Sequence, residues 1–432
     1  MKMTNMRTLS FLPLVILGAL CLMTGACGRQ SASALEAPAE TSTSVVWSPE
    51  IVAAEKMIAK DPESPLGYNL LAVACIKKAR ETGDHSFNKR GEAAVERALA
   101  LAPNDQASRK LHATLLASAH EFVKARETAR ALADEFPDDA FAYGILVDAN
   151  SELGNYDEAL KAAQKMVDLK PNSASYSRVA HMRSLHGDHA GAVQMLTTAA
   201  RTADPQDKEA QSWCLMQLGK EYFKVGDLNK AAKVVDESLQ ISPNYPLALI
   251  EKARYLAAAG DLDGAEGKLA QANAGVTLTE ASIMLGDISR KRGNLEAARR
   301  QYAAAEEVER AGGGDIHRFA LLWADQGERL DEALEVARAD YETNKDIYAS
   351  DILAWCLLKK GMAKEAQTVI QKALRLKTND ARILYHAGMI ERELGNSKLA
   401  AKYLSAALKI NPNFDLLQAE PARIALDGLR NV

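Results

Sequence analysis

The sequence predicts an all-α fold, a superhelical solenoid of about ten helix-turn-helix units closed by a C-terminal capping helix. The first observation is a recurring corner. LGNYDEAL, at 153–160, returns as HGDHAGAV from His186, VGDLNKAA from Val225, AGDLDGAE from Ala259, RGNLEAAR from Arg292, QGERLDEAL from Gln326, KGMAKEAQ from Lys360 and LGNSKLAA from Leu394. Its glycines, Gly154, Gly187, Gly226, Gly260, Gly293, Gly327, Gly361 and Gly395, are spaced by 33, 39, 34, 33, 34, 34 and 34 residues, and self-similarity at such a period marks a repeat array. The second observation is a small residue at a fixed offset. Ala159, Ala192, Ala231, Ala265, Ala298, Ala366 and Ala400 each follow their glycine by five positions, and Ala333 follows Gly327 by six. The third is bulk composition: 432 residues, 47% apolar and 25% charged, with Ala and Leu plentiful. That length exceeds one compact core, and that composition favours helix over sheet.

Residues 1–26 read as an export signal. Lys2 and Arg7 precede the apolar run Leu9 to Met23, and Thr24-Gly25-Ala26 provides small residues at its end, the pattern of a cleaved leader. Thr24-Gly25-Ala26-Cys27 resembles a bacterial lipobox, with Thr where the commonest form has Leu. The resemblance implies a lipid on Cys27 and an extracytoplasmic membrane lipoprotein, at the outer membrane facing the periplasm if the host is Gram-negative; a soluble periplasmic or secreted protein is the alternative. Residues 27–47 are rich in Ser, Thr, Ala and Pro without an apolar period and read as a tether with a mean reach of roughly 25 Å.

Order is expected from Ser48-Pro49-Glu50, where Ser suits the cap, Pro the first helical position and Glu the positive end of the dipole. A leading helix occupies 48–64 and closes on Pro62. The array spans 65–412, with units beginning near Pro65, Gln106, Ala140, Ser173, Ser212, Pro246, Thr279, Gly313, Ile347 and Ala381. In the first unit the corner ETGDHSFNKRG carries extra residues, and in the second His120 stands where glycine is expected. Residues 413–432 form the capping segment, helical from Leu416 to Leu429, that covers the last apolar face as a solenoid requires.

Within one unit, apolar residues at i, i+3, i+4 and i+7 form one stripe, glycine ends the first helix in a left-handed corner, and small residues let the second helix approach. In the corner at 153–160, Asp157 is a candidate cap for the second helix. Leu215, Leu218, Gly219 and Tyr222, followed by Gly226, Ala231, Val235 and Pro243, set out the pattern of a whole unit, and Leu384, Ala387, Gly388, Gly395, Ala400, Leu404, Ala407 and Pro412 repeat it. These residues resemble the tetratricopeptide repeat (TPR) family. The resemblance implies a non-catalytic scaffold that binds a peptide or partner protein in a concave groove.

Formal charge is −4 and pI about 6.1, which gives no general attraction to nucleic acid; no nucleic-acid partner is expected. No G-x-x-x-x-G-K-[ST], G-x-S-x-G or H-E-x-x-H motif occurs, so neither enzymatic activity nor a cofactor is expected. Cys75, Cys214 and Cys356 are widely spaced and read as small packing residues. HMRSLHGDH gathers His181, His186, Asp188 and His189 near one corner, and a metal- or small-ligand-binding periplasmic protein using His181, His186 and His189 is the alternative function. Asp148 and Glu152 share a helix face and read as solvated.

The TPR resemblance implies that set positions of each first helix line the groove. Transferred to this sequence, they give Lys220, Lys224, Arg254, Arg290, Lys291, Trp355 and Tyr385 as candidate binding residues. The five cations form a basic stretch fit for acidic side chains or a terminal carboxylate.

Overall fold

The computed structural model describes residues 48–312 and 317–430. The export signal, Cys27 and the tether fall outside the described residues, as does Gly313.

A leading helix α1 (Pro49–Lys60) precedes ten helix pairs. They are α2 (Pro65–Thr82) with α3 (Ser86–Leu101), α4 (Gln106–Ser118) with α5 (Phe122–Glu135), α6 (Ala140–Glu152) with α7 (Tyr156–Leu169), α8 (Ser173–Leu185) with α9 (His189–Thr202), and α10 (Lys208–Lys224) with α11 (Leu228–Ile241). Then come α12 (Pro246–Ala258) with α13 (Leu262–Ala272), α14 (Thr279–Lys291) with α15 (Leu295–Gly312), α16 (His317–Gln326) with α17 (Leu330–Thr343), α18 (Ile347–Lys359) with α19 (Ala363–Ala373), and α20 (Ala381–Glu393) with α21 (Ser397–Ile410). A final helix α22 (Ala419–Arg430) follows, and no strand occurs among the described residues. The fold is an all-α solenoid.

The corners work as their glycines require. Gly154 has φ +71, a left-handed conformation that costs an L side chain about 1–2 kcal/mol. Its N–H donates to the Ser151 carbonyl (3.1 Å), and the N–H of Asn155 donates to the Asn150 carbonyl (2.8 Å), the paired bonds of a Schellman cap. His120 takes the same corner at φ +61, and the N–H of Glu121 closes it on the Leu116 carbonyl (2.9 Å). Across each pair the offset alanines are buried, with Ala159, Ala192, Ala231, Ala265, Ala366 and Ala400 all at 0% exposure. Where a glycine replaces the small partner, contact is closer still: a Cβ on Gly388 would sit 2.7 Å from Leu404 Cγ.

Several expected boundaries are corrected. The extra residues of the first unit lengthen the helices rather than the corner: Gly83 makes the left-handed turn, the Ser86 N–H is capped by Asp84 Oδ1 (2.9 Å), and Gly91 stays helical, buried in α3 against Cys75 and Leu115. Helix α10 starts at Lys208 rather than Ser212, since Asp207 Oδ1 accepts the Ala210 N–H (3.0 Å). Asp157 is no cap: Asn155 holds that position and Asp157 lies in the first turn of α7, where its charge suits the dipole. The capping helix starts at Ala419 rather than Leu416, because Asp415 Oδ1 accepts the N–H groups of Leu417 (2.8 Å) and Gln418 (2.9 Å) in a preceding turn.

Successive pairs curve until the coil meets itself. The Ile347 N–H donates to the Tyr156 hydroxyl (2.9 Å) across 191 residues, and Asn411 Nδ2 donates to the Phe223 carbonyl (2.7 Å) across 188. At the same seam Gly154, Gly187 and Gly226 face the backbone of Lys345, Lys377 and Ile410, whereas Gly293, Gly327, Gly361 and Gly395 face open space. The corner of one unit thus rests on the chain that closes the unit five later. One apolar cluster joins both coils, from Ala142, Leu146 and Met182 to Trp355, Tyr385 and Leu404.

Candidate functional site

The inner wall of the coil is built mainly from first helices. On α10, Trp213, Gln217, Lys220 and Lys224 follow a four, three, four spacing and so form one stripe; on α8, Ser177, His181 and Ser184 do the same. Both stripes line a cavity of about 820 Å³. Tyr348, Asp380 and Arg382 close it from the far wall, brought there by the overlap of the coils.

Charges of both signs line the cavity, and most are committed to one another. Arg178 grips Asp148 with two bonds, Nε to Oδ1 (2.9 Å) and Nη2 to Oδ2 (2.6 Å). The carboxylate of Glu221 accepts from Ser184 Oγ (2.9 Å) and contacts His189 Nδ1 (2.5 Å). Burial would raise its pKa, but the His189 hydrogen bond and the Lys224 charge outweigh it and hold the carboxyl below its ordinary value. Lys224 Nζ in turn donates to Ser184 Oγ (3.0 Å). The His181 ring is exposed to the cavity, where desolvation by the surrounding wall first and then the Lys224 charge lower its pKa. Arg382, also in the lining, has a buried Nε–H with no hydrogen-bond partner among the described residues.

A smaller cavity of about 290 Å³ lies on the other side of α10, where Phe223, Arg254, Met284 and Asp287 face residues 413–416. Here the irregular segment before α22 crosses the inner wall. Gln418 Nε2 donates to Asp325 Oδ1 (2.9 Å), and the Tyr385 hydroxyl donates to Gln418 Oε1 (2.9 Å). The Asp287 carboxyl is pushed up to about 7, by burial first and then by Asp415. Asp325 rises to about 6, also chiefly through burial.

Family models for the tetratricopeptide repeat match residues 110–174, 216–275 and 381–414. These segments carry TPR repeats. Their solenoid is similar to the crystal structure of the APC/C hetero-tetramer Cut9-Hcn1, with 16% identity over 88% of this chain and 92% of that one and a TM-score of 0.35. TTC0263, a thermophilic TPR protein of Thermus thermophilus, matches at 18% identity over 45% of this chain and 99% of its own, with a TM-score of 0.40. The human IFIT1 dimer with m7Gppp-AAAA matches at 15% identity over 76% of each chain, with a TM-score of 0.46. No curated protein matches the chain.

The TPR-derived site residues divide between the two cavities. Lys220 and Lys224 do line the larger one. Arg254 and Lys291 line the smaller one, and Arg290, half-buried on α14, lines neither. The expected free basic stretch is corrected: Arg254 is paired with Glu251 (3.3 Å) and Glu280 (2.5 Å), Lys224 with Glu221 (3.6 Å), and Lys220 stands 3.9 Å from Glu251. Glu221 and Glu251 escaped notice because each is a polar residue at a packing position.

Trp355 and Tyr385 are corrected too. At 1% and 2% exposure they form no open surface, although Tyr385 does point inward. Phe414 packs 5.6 Å from the Tyr385 ring, and Trp355 Nε1 donates to the same Asp325 oxygen (2.7 Å) that Gln418 uses. The three histidines do not converge. His186 Nδ1 lies on the Met182 carbonyl (2.8 Å), His189 turns to Glu221, and among the described residues no three His, Cys, Asp or Glu side chains are grouped as metal ligands. Arg178 and Arg382 were not anticipated; an arginine one residue after a groove position gives no periodic signal, and the placement of Arg382 depends on coil closure. Cys75, Cys214 and Cys356 are buried free thiols. Burial raises the pKa of each.

Proposed function

We propose that the protein is a non-catalytic binding scaffold whose inner channel receives an extended segment of a partner protein. The observation that carries this reading is the 820 Å³ cavity, in which Trp213 offers a face for stacking and Lys220, partly exposed and 3.9 Å from Glu251, offers a donor to a carboxylate or carbonyl. TPR repeats in general mediate protein–protein interaction, which agrees with this chemistry. Because the cavity charges are largely paired among themselves, orientation and fit would select the ligand more than long-range attraction would.

A photo-crosslinking amino acid at Gln217, inside the cavity, is expected to give a partner adduct in cells, and the same group at the exposed Leu160 on α7 none. Neutralising Lys220→Gln and Lys224→Gln together with Trp213→Ala is expected to abolish the adduct. Equal adducts from both positions, or an adduct indifferent to the triple substitution, would refute the channel as the site.

The lipid anchor belongs to the same proposal. Its support is the lipobox-like Thr24-Gly25-Ala26-Cys27 and the tether that follows; no described helix is long and apolar enough to cross a membrane. Labelled palmitate should enter the full-length protein and be lost in Cys27→Ala. An unlabelled, uncleaved N-terminus would end the lipoprotein reading and leave the channel untouched.

A further inference from the structure

The segment between α21 and α22 lies along the inner wall of the coil, against α10, α12 and α14. Asn411 hydrogen-bonds the Phe223 carbonyl at the end of α10. Phe414 meets the Tyr385 ring of α20, and Leu416 packs on the cluster containing Leu249, Ile250 and Met284 of α12 and α14. Gln418 bridges Asp325 on α16 to Tyr385 on α20. The segment therefore crosses the inner face from the fifth unit to the tenth, held by side chains rather than by regular backbone pairing.

Its fit is incomplete. Residues 413–418 are only half-buried, and a cleft of about 290 Å³, open to solvent, separates part of the segment from the wall. The anchors are also few: one aromatic ring, one leucine and two amides. A loosely packed segment tethered on both sides competes through its high effective concentration more than through contact quality.

We propose that residues 411–418 are a built-in occupant of a second groove site, and that this site takes in their place an extended partner segment of the same chemistry, an aromatic residue followed by Asp, two Leu and Gln. The inference rests on the groove-binding reading above but concerns a separate wall. Tyr385 is then a site residue that the native occupant keeps covered.

The test uses the full chain and a fluorescein-labelled peptide copying residues 411–419, with a scrambled copy as control. Phe414→Ala/Gln418→Ala weakens the occupant in cis and leaves α22 intact. Fluorescence anisotropy is expected to show at least tenfold tighter binding of the copy to this variant than to the unaltered chain, and no binding of the scrambled peptide. Equal affinity for both proteins, or no binding to either, overturns the proposal. If the double variant loses its helical circular dichroism, Gln418→Ala alone is read by hydrogen exchange. Faster exchange confined to 411–418 supports a displaceable occupant, and acceleration spreading through α18 and α20 overturns it by making the segment part of the core. Adding Trp213→Ala should leave binding of the copy unchanged, which separates failure of this site from failure of the larger channel.

Discussion

The seam between coils predicts that chemically identical substitutions at two corner glycines have unequal costs. Gly154 and Gly361 share the left-handed conformation, at φ +71 and +77. An alanine at either position costs about 1–2 kcal/mol for the conformation, offset by about 0.4–1 kcal/mol from a less flexible unfolded chain. At Gly361 nothing lies within 4 Å of the new methyl, so the net loss should be about 0.5–1 kcal/mol. At Gly154 the methyl would fall inside van der Waals contact of the Lys345 carbonyl oxygen and 2.6 Å from Arg375 Nη2. That carbonyl cannot move freely: Arg375 Nη2 donates to it (2.5 Å), and two residues on the Ile347 N–H is bound to the Tyr156 hydroxyl (2.9 Å). Overpacking against a fixed backbone adds about 1–3 kcal/mol, for a total of roughly 2–4 kcal/mol.

Urea unfolding of Gly154→Ala and Gly361→Ala measures the difference. Repeat arrays need not unfold in one step, so hydrogen exchange supplies the local readout. Gly154→Ala should accelerate exchange at the Ile347 amide, nearly two hundred residues away in sequence, while Gly361→Ala should leave that amide unchanged. Equal losses within about 0.5 kcal/mol, the usual scatter between independent sites, together with an unaffected Ile347 amide, would refute the closed coil.

The raised carboxyl of Asp287 predicts a pH dependence. A folded-state pKa of about 7 against an unfolded value near ~3.9 means that the folded protein holds the proton more tightly. This group's contribution is therefore complete below about pH 4 and is lost as pH rises through about 7. Asp287→Asn can keep the acceptor for the Tyr302 hydroxyl (2.8 Å) without the charge, and should flatten the melting temperature between pH 5 and 8 and raise stability at pH 8 by about 1–2 kcal/mol after allowance for water contact; parallel pH curves for both proteins would refute it. Lys377, exposed at φ +55, should give a more stable protein as Lys377→Gly by about 0.5–1 kcal/mol in chemical denaturation, and a loss would show that its side chain supports the seam.

What the sequence made legible is what repeats. Helix starts at Pro49, Pro65, Gln106, Ala140, Ser173, Pro246, Thr279, Ile347 and Ala381 follow from caps, prolines and a period set by each unit against its immediate neighbour. Contacts made once per turn of the superhelix leave no periodic trace, so the pairing of Tyr156 with Ile347, the covering of Trp355 and Tyr385, and the arrival of Arg382 opposite α10 could not be read. Groove cations failed for a related reason: periodicity locates Lys220 and Arg254 on the inner face, but Glu251 and Glu280, which neutralise them, come from other registers. The turn at 413–418 did carry a local signal, in Asn-Pro-Asn followed by Asp, which the expected capping helix overrode.

The two departures from the period explain each other. The first pair is long because α2 runs for 18 residues, and the fifth because α10 runs for 17, against 13 for α6, α8 and α12. The surplus of α2 lies at its C-terminal end and carries Arg80; that of α10 lies at its N-terminal end and carries Glu209. Arg80 Nη2 donates to Glu209 Oε2 (2.6 Å) across 129 residues, and the Tyr245 hydroxyl donates to the other carboxylate oxygen (3.2 Å). Burial raises the pKa of Glu209 and the Arg80 charge opposes it, so the arginine is what makes a buried carboxylate tolerable at that position. Both residues line the large cavity. Shortening either helix to the regular length would remove one member of the pair, and shortening α2 alone would leave Glu209 buried without its cation. The insertions are therefore read together, as a strut from the first unit to the fifth that holds one side of the channel in place.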